Sequence, residues 1–236
     1  MILRAIRFAG FWQPALPIEW EIMKCWISTA LLLAACGCLQ AADRSGDHAN
    51  IAAYLDGRRF VSRLDADVTG DGVPDAIFVA ADDRNFTATV TVLMRMHGKP
   101  VTGKGIMEGF QGIDSLTVEL SPFGPPTLRV VKGVLIIDSL VGGSTVRTAS
   151  TYRYRFDADE GRMRLIGLDA ERTSTTFGIK LSWNAFTGAH VARRGPREGT
   201  TVRYGPESRT TYKPGTIYMS LTPAPDELLD RTPGQK

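Results

Sequence analysis

Short apolar stretches recur along residues 51–221, each closed by Gly, Pro or Asp, and none has the length or the spacing of an amphipathic helix. Ala76–Ala80 is a continuous apolar run, and Phe86–Met96 sets Thr87, Thr89 and Thr91 against Val90, Val92 and Met94. Leu116–Leu120, Leu128–Val131, Val134–Ile137, Tyr152–Phe156, Met163–Leu168 and Ile179–Trp183 follow in the same style, then Thr201–Tyr204, Thr210–Lys213 and Ile217–Leu221. Period-two alternation with β-branched and aromatic residues predicts strands. Many short strands between turns predict an all-β single domain of antiparallel strands, as a sandwich, a barrel or a small propeller-like set. Lys132-Gly133 and Asp159-Glu160-Gly161 carry the residues of hairpin turns. Only Ile51–Leu55 reads as helical, and no long internal repeat is visible.

The pattern differs at the two ends. Met23–Cys36 (MKCWISTALLLAAC) has a positive residue at Lys24, an apolar stretch from Trp26 to Ala35, and small residues at Ala34-Ala35. This is the layout of an export signal over 23–35. Its apolar part falls short of the roughly 20 residues that a membrane span needs. Residues 1–22 contain Arg4, Arg7, Pro14, Pro17, Glu19 and Glu21, which suit neither a span nor a signal, so Met23 is the expected start. Leu33-Ala34-Ala35-Cys36 resembles the lipobox of bacterial lipoproteins, which implies a diacylated Cys36 and a periplasmic, lipid-anchored protein, on the outer membrane by analogy with the Gly37 sorting position. The alternative is cleavage near Ala41-Ala42 and secretion, although Gln40 suits that site poorly. Residues 36–50 then read as a tether, 51–221 as the domain, and 222–236, with three prolines, as a flexible tail.

Cysteine and charge narrow the function. Cys25, Cys36 and Cys38 all lie in the leader or at its end. The domain therefore has no disulfide, no thiolate metal site and no cysteine nucleophile. The net charge of +3 becomes +2 once Arg4, Arg7, Lys24, Glu19 and Glu21 are removed, a balance that does not point to nucleic acid. Clusters such as Arg193-Arg194 with Arg197 read as solvated loops.

The sharpest chemical motif is Asp67-Val68-Thr69-Gly70-Asp71-Gly72-Val73-Pro74-Asp75. Oxygen-bearing side chains at positions 1, 3 and 5, with glycine at 6, are the spacing that wraps hard donors round a Ca²⁺ ion. Asp67, Thr69, Asp71, the Val73 carbonyl and Asp75 are the candidate ligands. Position 12 is Phe78, so the bidentate glutamate of an EF-hand is missing and a strand follows. Thr69 is a weaker ligand than Asp or Asn, and Asp65 could compensate by folding back. The expected role of the ion is structural. Asp82-Asp83-Arg84-Asn85 and Asp157-Ala158-Asp159-Glu160-Gly161 lack the glycine register and read as plain turns.

Catalytic candidates are few. His48 lies in the tether, His97 precedes a turn, and His190 lies in an expected strand beyond Thr187-Gly188. Gly142-Gly143-Ser144-Thr145 is not a G-x-S-x-G elbow and reads as a tight loop between strands, so Ser144 with His190 is a remote hydrolase reading. A non-enzyme is expected.

Gly133-Val134-Leu135, Gly142-Gly143-Ser144 with Arg147, Tyr152–Phe156, Arg164–Asp169, and Asn184 with Thr187-Gly188 stand downstream of the acidic loop. Together they resemble small bacterial envelope lipoproteins that carry one integrin-like (FG-GAP/VCBS-type) calcium loop, some of which are similar to periplasmic lysozyme inhibitors and immunity lipoproteins. The resemblance spans about Asp65–Gly188. It implies a calcium-bound β domain that blocks a peptidoglycan hydrolase, with Gly142, Gly143, Ser144 and Arg147 as the candidate partner-binding loop. The mild positive charge departs from an acidic inhibitor of cationic lysozymes. Two alternatives stand beside it: a calcium-stabilised structural or adhesive envelope module that binds glycan or neighbouring proteins, and an exported hydrolase.

Overall fold

A computed structural model describes residues 51–96 and 109–231. The export signal, Cys36, the tether with His48, and His97 lie outside the described residues. The chain is all-β, with two antiparallel sheets. The first holds β1 (Arg59–Ala66), β2 (Asp75–Asp82), β3 (Thr87–Arg95) and β4 (Phe110–Glu119) in sequential order. The second is a meander of β5 (Thr127–Val131), β6 (Val134–Gly142), β7 (Val146–Asp157), β8 (Arg162–Ser174), β9 (Phe177–Trp183) and β10 (Ala189–Glu198). The short strands β11 (Thr201–Val202) and β12 (Ser208–Thr211) pair with opposite ends of β10.

Burial explains the sequence patterns. Strand β2 is apolar from Ala76 to Ala81 because both of its faces are covered. Ile77 and Val79 join Val90 and Val92 against the large sheet, where Ile137, Tyr152, Leu168, Leu181 and Trp183 complete the main core. Ala76, Phe78 and Ala80 face the other way, with Leu93 and Phe110, under Ile51, Tyr54 and Leu55 of a helical turn, α1 (51–55). Among the described residues the large sheet is covered on one face, so burial alternates along its strands, as in β7 with Thr148, Ser150, Tyr152 and Tyr154 buried and their neighbours more exposed. The phase shifts at the bulge of β8, where Gly167 and Leu168 are both buried. Lys132 and Gly133 both have positive φ in the two-residue β5–β6 turn, as a hairpin of that length requires.

Two stretches differ from the sequence reading. Ile217–Leu221 forms no strand: it makes one bridge, Tyr218 to Arg164, and then a 3₁₀ turn over Met219–Leu221. Strand β9 pairs with β8 only from Leu168 onward, and Ile217–Tyr218 takes up the short edge of β8 left before it, where Leu165 N–H donates to the Ile217 carbonyl at 2.8 Å. Thr222–Arg231 is not a flexible tail. Pro225–Asp230 forms a short helix, α2, that buries Leu228 and Leu229 in the main core, with Leu229 0 % exposed. The Thr222 hydroxyl meets the Tyr154 hydroxyl at 2.9 Å, and Arg172 reaches Asp226 and Asp230. The preceding turn is tied down by Asp114, whose side chain is 2 % exposed and accepts from the Ser115 and Ser220 backbone N–H groups. Arg162 pairs with Asp114 and stacks over the Tyr218 ring at 4.4 Å.

Candidate functional site

The acidic loop joins β1 to β2 and is closed by its own donors. Asp67 Oδ1 accepts from Gly70 N–H at 2.6 Å and Oδ2 from Gly72 N–H at 2.9 Å, and both glycines take the positive φ that this wrap demands. Among the described residues Asp71 accepts only from Val73 N–H, at 2.8 Å, and is exposed. Asp75 is 0 % exposed. Its Oδ2 accepts from Val68 N–H (3.0 Å), Thr69 N–H (3.1 Å) and the Thr69 hydroxyl (3.1 Å), and its Oδ1 from Arg95 N–H (3.1 Å). One carboxylate thus binds the loop to β3. Asp65 is held by Arg63 and does not fold back. Among the described residues no group of three or more His, Cys, Asp or Glu side chains converges as a ready metal centre. Asp67, Asp71 and the Thr69 hydroxyl keep acceptor capacity beyond these bonds and with the Val73 carbonyl form a hard donor set suited to Ca²⁺. Asp75, also a candidate ligand from the sequence, is fully buried and engaged by four donors behind them.

The neighbouring acidic cluster is a plain turn. Asp82 accepts from Asn85 through side chain and backbone, and from Arg84 N–H, and the Asn85 bonds hold its carboxyl below the usual carboxylate range. Asp83 takes two bonds from Arg59.

Gly142–Arg147 is the tip of the β6–β7 hairpin. Gly143 N–H donates to the Val146 carbonyl at 2.8 Å, and Gly142 has φ 103°. A Cβ at Gly142 would run into the Val146 carbonyl oxygen, so glycine is required. All six residues from Gly142 to Arg147 are exposed, and Arg147 has no carboxylate partner among the described residues.

Ser144 and His190 are not brought together. Ser144 sits on this tip, whereas His190 lies in β10, at least three strand spacings or about 14 Å across the sheet. His190 is buried, its Nδ1 lies 3.2 Å from the Thr210 hydroxyl, and it bonds the backbone of Leu228 in α2. Burial pushes its pKa down. It is a core histidine that braces α2.

Two concavities were not foreseen from the sequence. A cleft of ≈200 Å³ lies between the sheets under Thr222–Asp226, with Ser139, Thr148, Ser150 and Tyr152 along it. Burial pushes the Tyr152 phenol up to about 12, so it stays protonated. The second is an open groove of ≈550 Å³ on the uncovered face of the large sheet, walled by Phe123 and Pro125 on one side. Its residues come from five strands, and only the register brings them together.

Comparison with protein-family models, with curated proteins and with solved structures finds no match for this chain. The functional reading therefore rests on these residues and their geometry.

Proposed function

We propose that this protein is a non-catalytic binding module of the bacterial cell envelope, exported by the 23–35 signal and lipid-anchored through Cys36, that docks on a peptidoglycan hydrolase as an inhibitor or immunity factor. The observation that supports it is the Gly142–Arg147 hairpin tip. Six consecutive exposed residues stand on two long strands of the core sheet, held by an internal backbone bond and a glycine that cannot be replaced. A stiff loop of this kind loses little freedom on entering a partner's cleft, the usual economy of preorganised inhibitors. Ser144 and Thr145 offer hydroxyls, Arg147 a free guanidinium, and Val146, 42 % exposed, an apolar contact.

In this reading Ca²⁺ is a structural ligand of the β1–β2 loop, held by Asp67, Thr69, Asp71 and the Val73 carbonyl. Asp75 acts behind them, accepting a hydrogen bond from the Thr69 hydroxyl, which leaves the Thr69 oxygen lone pairs for the ion.

The test is affinity capture from envelope and secreted fractions with Ca²⁺ present, followed by a cell-wall turbidity assay. Recovery of a peptidoglycan hydrolase that the protein inhibits, with inhibition lost in Ser144→Trp and Arg147→Glu, supports the proposal. Recovery of structural envelope proteins alone favours the adhesive module. Cell-wall lysis by the protein itself would turn the reading to an exported hydrolase.

A further inference from the structure

The groove on the open sheet face has an unusual charge pattern. Along one row, Asp138 of β6, Thr151 of β7, Asp169 of β8 and Ser182 of β9 lie side by side. Thr151 donates to Asp138 at 2.6 Å and Ser182 to Asp169 at 2.7 Å. Arg129 pairs with Asp138, and Arg153 with Asp169 at 2.7 Å. In the next row Glu171 lies directly opposite Lys180. Asp138 and Asp169 are each paired with an arginine and Glu171 stands opposite Lys180 in register, so the formal charges of the groove balance although the sheet that carries it is rich in arginine. Asp138, Asp169 and Glu171 are held by hydrogen bonds and still have acceptor capacity. Glu171 Oε1 accepts from the Tyr204 phenol at 2.7 Å, while its Oε2 and the Lys180 ammonium have no hydrogen-bond or ion-pair partner among the described residues. Burial pushes the Tyr204 pKa up, which keeps that phenol a donor.

The rest of the groove has a different character. Ala149, small and on the same row as Glu171, leaves the floor low. Phe123, 52 % exposed, forms one wall with Pro125, on a turn fixed by the Ser121 hydroxyl and the Ser121–Gly124 bridge. Acceptors and a donor at strand spacing on a flat floor, beside one exposed aromatic ring, match a ligand that presents many hydroxyls on its edges and C–H groups on its face. A polyanion would meet the carboxylates, and a polycation would meet Lys180 and the two arginines. Charge balance favours a ligand with no net charge.

We propose that this groove binds a neutral glycan chain, its hydroxyls donating to Asp138, Asp169 and Glu171 and accepting from Lys180, with a sugar face on Phe123. The volume, ≈550 Å³, lies within the range of small-molecule sites. The proposal is independent of the hairpin reading, because its residues are not those of the Gly142–Arg147 tip.

Calorimetric titration of the protein with neutral trisaccharides (cellotriose, maltotriose and tri-N-acetylchitotriose) tests it. Binding of at least one of them is expected, with an affinity that changes little between low and high salt, as befits an uncharged ligand. Phe123→Ala and the pair Glu171→Gln, Lys180→Met are each expected to weaken it about tenfold or more, given the strength of hydrogen bonds to charged groups. Phe123 and Lys180 are exposed and Glu171 is half-buried, and urea midpoints check that the variants remain folded. Arg147→Glu, on the hairpin, should leave sugar binding unchanged while it disturbs hydrolase inhibition, which separates this proposal from the previous one. No binding to any trisaccharide at millimolar concentration, binding that survives both groove variants, or tighter and salt-sensitive binding to polyphosphate or polyglutamate would each overturn it.

Discussion

Asp75→Ala probes how the acidic loop is held. The Asp75 carboxylate accepts three backbone N–H groups and one hydroxyl at 3.0–3.1 Å, and it is completely buried. Leaving a buried donor without a partner costs about 1–3 kcal/mol. Val68 N–H is fully inside and falls near the upper end, about 2 kcal/mol, whereas Thr69 and Arg95 N–H are part-buried and fall near the lower end, about 1 kcal/mol each. The expected loss is therefore about 4 kcal/mol, a large share of the roughly 5–15 kcal/mol that keeps a domain folded. Asp75→Asn keeps the shape and one acceptor and should lose about half as much. Asp71→Asn keeps an acceptor for its single exposed bond, and its loss should stay below about 1 kcal/mol. Urea unfolding in EDTA is the assay, since the effect belongs to the protein's own hydrogen bonds and not to an ion. If Asp75→Ala in EDTA lies within about 1 kcal/mol of the parent, and the loss appears only when Ca²⁺ is added, Asp75 is a ligand and the lock described above is wrong.

Four further outcomes are expected. Leu229→Ala should cost about 2–5 kcal/mol in urea unfolding because α2 fills the core; a loss below about 1 kcal/mol would return this segment to a tail. His190 is held neutral in the fold with its pKa below the ordinary 6.5, so the unfolded chain binds the proton first. Stability is then full above about pH 6.5 and falls as the pH drops from there toward the folded pKa; His190→Asn should flatten that slope in pH-dependent unfolding. Ca²⁺ at ten times its Kd should add about 1.4 kcal/mol and raise Tm by roughly 3–5 °C, and Asp67→Asn with Asp71→Asn should abolish the rise; a melting curve indifferent to both Ca²⁺ and EDTA removes the ion from the proposal. Gly142→Ala forces a Cβ against the Val146 carbonyl at φ 103° and should cost at least about 1–3 kcal/mol by thermal unfolding.

Much of the fold could be read from alternation, because a sheet with one covered face writes its burial into every second residue. Tyr152 and Tyr154 against Arg153 and Arg155 is such a case. Strand β1 (RFVSRLDA) escaped notice because it is an edge strand with no fully buried residue, so its pattern is weak. Strand β10 was only partly visible: Arg193, Arg194 and Pro196 disguise a strand whose far end pairs with the two-residue β11. At the C-terminus three prolines suggested a tail, yet Pro225 at the first turn, Asp226 and Glu227 behind it, and the Leu228-Leu229 pair are helix-start signals followed by something to bury. Six residues are too few for a periodic pattern, and tertiary packing decided the matter.

Charge shows the same limit for the site. Summed over the chain it is nearly balanced, but the described residues up to Leu120 hold nine Asp and Glu against five Arg, while Ser121–Arg231 hold sixteen Arg and Lys against eleven Asp and Glu. The four-stranded sheet and its acidic loop thus carry net −4, and the segment that forms the large sheet net +5. Averaging to a small total hid this division, and a domain so divided orients itself in the field of a charged partner or surface before any contact forms. The groove could not be seen at all. Asp138, Thr151, Asp169 and Ser182 are 13 to 18 residues apart in pairs, and nothing but strand register makes them neighbours. A one-residue slip in any strand would send its member to the core face, where an unpaired carboxylate is far too costly to bury. The register that packs Ile137, Tyr152, Leu168 and Trp183 inside therefore also fixes the polar row outside, and the stability of the core and the geometry of the groove are set by the same hydrogen-bonded ladder.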